Sequence, residues 1–248
     1  MNVISASYGN DSIATIQWAR EREMRDVVVV FIDTGWSKPG WLDRVAMSMK
    51  WVEGLGFEAV IIRPTVQFED LIRMKKGFPS QRFQWCSGML KGVPFLTWID
   101  DRDPQRTATV IIGKRREESE ERANTPEFIE QSEYHGDRRV WHPLYMHTEA
   151  QRNELIARAG FEVLPHRSKE CSPCINANKA DIRDLSQWEI DRLKRLETDV
   201  GKPMFRAKKH GGANGIEQVI QWSFSRPGKY DSRQEPLFNG CSSGYCGY

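Results

Sequence analysis

The sequence predicts an α/β fold with a mostly parallel central sheet flanked by helices, Rossmann-like in outline. Three observations lead there. Short β-branched apolar runs recur along the chain, of which DVVVVFID is the most continuous. Stretches with helical periodicity separate them. The runs end in Thr-Gly, Gly or Pro, where a strand gives way to a loop. A continuous apolar strand is one buried on both faces, and strands alternating with helices build parallel sheets.

Taken in order, NVISAS reads as a short first strand. DSIATIQWAREREM reads as a helix, with Ile13, Ile16 and Ala19 or Arg20 at helical spacing. DVVVVFID is the second strand. PGWLDRVAMSMKWVEGLG reads as a helix with Pro39 in its first turn, Leu42, Val45, Met49 and Val52 on one face, and Gly54 and Gly56 at its end. EAVIIRP and TATVIIG are two further buried strands, and RRVWHPLY is a weaker one. EAQRNELIARAG and DLSQWEIDRLKRLE are amphipathic helices. From about residue 201 clear periodicity gives way to Gly, Lys and aromatics. The expected division is a main α/β domain over 1–200 and a small cysteine-bearing C-terminal appendage over 201–248.

Bulk properties exclude several classes. The chain has 248 residues and a formal net charge of +2, which by itself predicts no nucleic-acid partner. VVVVFI is far too short to span a bilayer, and MNVISASYGNDS lacks the pattern of a signal peptide. The expected location is the cytoplasm, with no membrane association. There, five cysteines point to metal ligands or reactive thiols rather than disulfides.

The first candidate site is SYGNDS, residues 7–12, between the first strand and the first helix. Small residues there let backbone N–H groups approach a phosphate, and the helix N-terminus adds partial positive charge. The lysine of a Walker A loop is missing. A plain helix cap by Asp11 or Ser12 is the bland alternative. The second strand ends in Asp33-Thr34-Gly35, which would share a crevice with that loop, or simply turn the chain. GKRREESEERA follows TATVIIG and brings Arg115, Arg116, Glu118, Ser119 and Arg122 to the same sheet edge. Arginines there could grip phosphate or sulfate, or form a solvated helix start.

Together SYGNDS, FIDTGW, WCSGMLKGVPF, GKRREESEERA, WHPLYMHT and ECSPCINA resemble, in order, the landmarks of the adenine nucleotide alpha-hydrolase (PP-loop) superfamily. The branch they resemble is the phosphoadenosine phosphosulfate (PAPS) reductase family, over residues 3–182. The resemblance implies a nucleotide site formed by Ser7, Tyr8, Gly9, Asn10, Asp11 and Ser12 around the phosphates, with Asp33, Thr34 and Gly35 at the adenosine crevice. Arg115, Glu118, Ser119 and Arg122 match a G-x-R-x-x-E/Q-S-x-x-R run that would face the nucleotide or its sulfate. It also implies one of two chemistries. ATP-using members cleave between the α and β phosphates and adenylate an acceptor; reductases reduce a nucleotide sulfate through a cysteine thiolate. Asp11 resembles the ATP-using pattern S-G-G-x-D-S, from which Tyr8 departs at a glycine position. Asp11 and Arg115 are the residues expected to act on the reacting phosphates, with Mg²⁺.

The cysteines form the second constellation. Cys171 and Cys174 make a C-x-x-C; Cys86 lies in RFQWCSGMLK; Cys241 and Cys246 lie in GCSSGYCGY. Such thiolates suit an iron–sulfur cluster, zinc or a thiol relay. The resemblance favours a 4Fe–4S cluster, because adenylylsulfate reductases and the DNA phosphorothioation sulfurtransferase are similar proteins that use one. WCSGMLKGVPF resembles a Cys-Cys segment with Trp85 in place of the first cysteine. Cys86, Cys171, Cys174 and Cys241 are then the expected ligands, with Cys246 an alternate ligand or the attacking thiol.

Other residues carry less. His142 and His147 flank WHPLYMHT and read as packing or surface histidines. His166 and Arg167, and Lys91 and Lys179, could set the electrostatics of the cysteines. FRAKKHGG and nine tryptophans leave a nucleic-acid acceptor open. The expectation is thus an iron–sulfur enzyme of sulfur chemistry, using ATP to transfer sulfur to a nucleic-acid or small-molecule acceptor, with a reductant protein or sulfur donor. The alternatives are a PAPS or adenylylsulfate (APS) reductase producing sulfite, and a non-catalytic nucleotide- or nucleic-acid-binding module with a structural zinc. A homodimer is compatible with any of these.

Overall fold

The computed structural model describes residues 1–165, 169–205 and 215–224. Cys241, Cys246, His166, Arg167, most of FRAKKHGG and most of the 201–248 appendage lie outside them. In chain order the elements are β1 (Asn2–Ser5), α1 (Asn10–Glu21), β2 (Val27–Ile32), α2 (Trp41–Gly54), β3 (Glu58–Ile62), α3 (Phe68–Lys75), α4 (Trp85–Ser87), α5 (Val93–Arg102), β4 (Thr109–Ile112), α6 (Glu120–Ala123), β5 (Phe128–Ser132), β6 (Arg138–Trp141), α7 (Glu149–Arg158), α8 (Lys179–Arg183), α9 (Gln187–Val200) and α10 (Ile216–Ser223). One π-helical stretch, Gly88–Gly92, joins α4 to α5.

The six strands run β3-β2-β1-β4-β6-β5, and only β5 is antiparallel to its neighbour. This is the α/β sheet the alternating pattern predicts. Successive residues of β2 alternate between two cores: Val27, Val29 and Phe31 face α1, α2 and α7, while Val28, Val30 and Ile32 join Phe95 and Ile99 of α5. Both faces of the sheet are therefore covered, which is why the strands read as unbroken apolar runs.

Several local expectations need correction. The face of α2 that packs inward is Trp41, Val45, Ser48 and Val52; Leu42 is exposed. Pro39 precedes the helix rather than opening it, and Gly40 takes the left-handed conformation at the N-cap. β5, short and half-exposed, carries too little apolar alternation to be seen beforehand. A third apolar cluster lies under the cysteine region. It brings together Trp36, Leu71, Leu90, Ile175, Leu193, Leu196, Met204, Ile216 and Val219, so α9 and α10 pack against the loop after β2.

Strand order reverses at β1, whose neighbours are β2 on one side and β4 on the other. In such sheets the crevice for a ligand opens beyond the carboxyl ends of the strands at that point. The loops after β1, β2 and β4 meet there.

Candidate functional site

The loop from β1 to α1 is built to expose its backbone. The Ser7 N–H donates to Ser12 Oγ at 3.0 Å, and the Ser7 and Ser12 hydroxyl oxygens lie 3.3 Å apart. Gly9 is the N-cap of α1, its N–H lies 3.4 Å from Ser7 Oγ, and no side-chain hydrogen bond caps the helix, whose N-terminus suits an anion. Tyr8 has a φ of 58°. Its ring points away from the crevice into the core, tilted against Phe31 at 6.0 Å. Only its backbone borders the loop. Asn10 is likewise engaged elsewhere: its amide bonds both the N–H and the carbonyl of Leu164.

Asp11 is buried and faces arginines. Arg115 Nε donates to Asp11 Oδ1 at 2.7 Å, and Arg152 Nη1 lies 3.8 Å from the same oxygen. Burial and the Glu118 carboxylate push the Asp11 carboxyl above its ordinary range, while Arg115 and Arg152 oppose them. For Arg115, burial works against the charge, but Asp11, Glu118 and Glu117 outweigh it. Arg115 and Arg122 are both buried, so the GKRREESEERA run is not a solvated helix start. Arg122 pairs with Glu118, and Ser119 Oγ caps α6 by accepting from Arg122 N–H. Arg116 points outward and stacks on Tyr145 at 5.4 Å.

Sequence reasoning missed Arg152, and it missed what Gly113, the first residue of the GKRREESEERA run, does. Arg152 shares the buried face of α7 with Leu155 and Ile156. An arginine on an otherwise apolar stripe was the available signal. Gly113 ends β4 against α1: a Cβ there would lie 2.5 Å from Thr15 Oγ1 and 2.8 Å from the Asp11 carbonyl oxygen. Only glycine lets the two elements close.

The loop after β2 forms the opposite wall. Gly35 has a φ of +71°, and its N–H donates to Asp33 Oδ1 at 3.0 Å. Arg63 lies 3.5 Å from the other Asp33 oxygen. Thr34 Oγ1 is buried with no hydrogen-bond partner among the described residues. From α9, Arg192 donates to the Gly35 carbonyl and to Glu69, and stacks over Trp36 at 4.3 Å.

The same loop then holds the C-x-x-C turn. Ser37 and Cys171 form an antiparallel bridge. Lys38 N–H donates to the Glu170 carbonyl at 3.0 Å, Ser172 N–H to the Trp36 carbonyl at 3.1 Å, and Trp36 Nε1 to the Pro173 carbonyl at 2.9 Å. Cys86, Cys171 and Cys174 are half-buried, form no disulfide among the described residues, and pack against one apolar cluster. They interact electrostatically: burial pushes the Cys171 thiol up, Lys91 opposes this, and Glu170, Cys174 and Cys86 add to it. Lys91, carried inward by the π-helical turn, is buried and pairs with Glu170 at 2.9 Å. The donor chemistry therefore suits a thiophilic centre. Among the described residues, however, no group of three or more His, Cys, Asp or Glu side chains is assembled to hold a metal ion. Lys179 instead lies over Trp222 at 4.5 Å.

The remaining histidines fall as packing groups. His142 is buried, with Nδ1 on the Pro126 carbonyl at 2.8 Å, and His147 lies at the surface of the loop before α7. No helix among the described residues is long and apolar enough to cross a membrane.

Comparison with known proteins follows this geometry. A search of curated sequences returned no match. Among solved structures, PAPS reductase from Candida auris in its phosphate complex is 16% identical, with a TM-score of 0.46 over 65% of this chain and 74% of that one. NMN synthetase from Francisella tularensis is 14% identical, with a TM-score of 0.49 over 90% of this chain and 83% of that one. The NH3-dependent NAD synthetase from Campylobacter jejuni subsp. jejuni, in complex with nitrate, is 15% identical, with a TM-score of 0.40 over 84% and 89%. The phosphoadenosine phosphosulfate reductase domain profile matches residues 1–173, a span that contains the β1–α1 loop, the Asp33–Lys38 wall, the Arg115–Arg122 run and Cys171. On that match, the chain belongs to the phosphoadenosine phosphosulfate reductase domain family.

Proposed function

We propose that this chain is an adenine-nucleotide-dependent enzyme of sulfur chemistry that uses ATP with Mg²⁺. The observation that carries the reading is the joining of two sites by one loop. The Asp33–Lys38 segment leaves β2, the strand beside β1 and its loop, and at its other end is hydrogen-bonded to the C-x-x-C turn. The nucleotide phosphates would lie on the N-terminus of α1, against Ser7, Gly9 and Ser12, with Arg115 and Arg152 close by. Fixed N–H dipoles there would stabilise the negative charge of departing pyrophosphate. A nucleophilic oxygen of the acceptor attacks the α phosphorus, the bond to the β phosphate oxygen breaks, and pyrophosphate leaves. A sulfur nucleophile then displaces AMP from the adenylated acceptor.

Cys86, Cys171 and Cys174, with Cys241, would hold a 4Fe–4S cluster, which when bound would supply redox or sulfur-carrying chemistry. Lys91 would balance part of its negative charge. A second reading is reduction of PAPS or APS: the Cys246 thiolate would attack the sulfate sulfur, the bond to the phosphate oxygen would break, and a second thiol, from a reductant protein, would release sulfite and leave a disulfide. It draws support from Asp11, whose carboxylate is already matched by Arg115 at 2.7 Å, which reduces its capacity to hold Mg²⁺.

The test begins with protein purified without oxygen, analysed for iron, sulfide and visible absorption, then incubated with ATP plus Mg²⁺ or with PAPS. Pyrophosphate and AMP from ATP support the first reading; sulfite from PAPS or APS replaces it with the second. A colourless protein, free of iron after anaerobic reconstitution, removes the cluster. If neither nucleotide is consumed and zinc is found, the non-catalytic module stands instead.

A further inference from the structure

We propose that Lys38 and Arg44 form a second oxyanion subsite between the phosphate loop and the C-x-x-C turn. It would take the phosphate or sulfate group of the nucleotide that does not lie on the N-terminus of α1. This rests on the nucleotide reading above and extends it to residues outside the family-like motifs.

The argument starts from charge balance. The buried cations Arg115, Arg138, Arg152, Lys91 and Lys169 each have a carboxylate within 4 Å. Lys38 and Arg44 are half-buried and have none among the described residues. Arg44 Nε donates to the Tyr8 carbonyl at 2.8 Å, while its buried Nη2 has no hydrogen-bond partner among the described residues. Its guanidinium lies over Phe161 at 5.4 Å, so the cation is shielded from water without being neutralised. Lys38 Nζ lies over Trp41 at 4.8 Å, and that indole donates to the Ser7 carbonyl at 3.1 Å. Both cations are thus one contact away from the phosphate loop.

Neither cation is neutralised by its surroundings. Burial lowers the Lys38 pKa and the Arg44 charge lowers it further, while Glu189 and Asp181 oppose them. Those two carboxylates are committed elsewhere. Glu189 accepts from Ser186 N–H at 2.8 Å and Ser186 Oγ at 2.6 Å. Asp181 accepts from Asn178 N–H at 2.8 Å and pairs with Lys169 at 3.6 Å. Cations held in partly desolvated places without a carboxylate partner are costly unless an anion joins them. The Lys38 N–H is bonded to the Glu170 carbonyl, beside Cys171, so the residue that carries this ammonium also borders the C-x-x-C turn. A group held between Nζ and the β1–α1 loop would therefore lie near that turn. Arginine and lysine donors suit a tetrahedral oxyanion.

Calorimetric titration of AMP, ATP, PAPS and sodium sulfate tests this, using wild type, Lys38→Met and Lys38→Arg. Lys38 touches the loop only through Trp41, so its truncation leaves the Arg44 hydrogen bond in place. The expected result is that Lys38→Met weakens ATP or PAPS roughly tenfold, the loss of one charge-assisted contact. AMP, with its single phosphate at α1, should be unaffected, and Lys38→Arg should restore binding. Unchanged ATP and PAPS affinity in Lys38→Met overturns the subsite, and so does an equal loss for AMP, which would mean a damaged loop. If wild type binds no nucleotide, the function proposed above fails by itself and the sulfate arm decides the subsite. Sulfate bound by wild type and lost in Lys38→Met keeps it as a site for a free oxyanion; equal or absent sulfate binding overturns it.

Discussion

Gly113→Ala is the sharpest test of how the proposed phosphate crevice is built. The added Cβ would stand 2.8 Å from the Asp11 carbonyl oxygen, 3.1 Å from the Asp11 carbonyl carbon and 2.5 Å from Thr15 Oγ1. Thr15 Oγ1 could rotate only by giving up its own 2.7 Å hydrogen bond to that carbonyl. The Asp11 backbone cannot rotate at all. The first turn of α1 and the end of β4 must separate by about half an ångström to restore ordinary contact. Overpacking of this kind costs roughly 1–3 kcal/mol. For a chain of this length, that corresponds to a fall in Tm of very roughly 2–12 °C. Urea unfolding of Gly113→Ala, Thr15→Ala and the double variant measures it. Thr15→Ala should relieve only the side-chain part of the clash, so the double variant should stay less stable than Thr15→Ala alone. The displaced Asp11 and Arg115 should also weaken nucleotide binding more than global stability explains. Wild-type stability and affinity in Gly113→Ala would refute the reasoning. Full rescue by Thr15→Ala would show that the backbone contact is not what constrains the site.

Two further outcomes follow from the structure. His135 and His142 are buried, and burial, helped by the Lys114 charge, lowers each to a pKa of about 4; the Pro126 carbonyl pulls His142 the other way. Unfolded, both titrate near the ordinary histidine value, so between there and about 4 the unfolded chain binds more protons. Stability is then fully present above that ordinary value and is lost as pH falls toward 4, on the order of 3 kcal/mol per residue. Urea midpoints at pH 7.5 and 5.5 check this, and His142→Asn should flatten part of the slope; midpoints already flat in wild type would contradict it. Arg192→Met should cost about 1–3 kcal/mol by stranding the Glu69 and Gly35 acceptors and uncovering Trp36. Arg192→Lys should recover only part of this, and a lysine variant as stable as wild type would show that the guanidinium fork is not required.

The sheet was legible because its strands are buried on both faces. β2 shows this most plainly, since two cores demand apolar residues at every position. The β1–α1 loop was legible because it interrupts that pattern with small polar residues. What stayed hidden depends on contacts distant in sequence. The gap between Gly113 and Asp11 spans about a hundred residues: the glycine opens the GKRREESEERA run, but nothing local shows what it must clear. Arg152 reads as one more charge on an amphipathic helix until α7 packs beside α1. Arg192 reads as a surface residue of α9 until that helix docks on the loop after β2. Lys91 could be read as solvated or as a partner of the cysteines, and only the π-helical turn that swings it onto Glu170 decides between them.

Tyr8 shows how a departure from a motif can be absorbed without losing its electrostatics. A glycine would take a φ of 58° without strain, whereas a tyrosine there carries a backbone penalty of roughly 1 kcal/mol or more. The ring offsets this by burying itself against Phe31, although its hydroxyl has no partner among the described residues. Burial, with the Glu53 charge, holds that phenol protonated. The backbone is fixed from the α2 side as well. Trp41 Nε1 donates to the Ser7 carbonyl and Arg44 Nε to the Tyr8 carbonyl. Those two oxygens would otherwise repel a phosphate. With both engaged by donors from α2, the loop keeps its amide groups and loses the opposing charge. Arg44 thereby serves the loop through one nitrogen and leaves another, buried and unbonded, for an incoming anion.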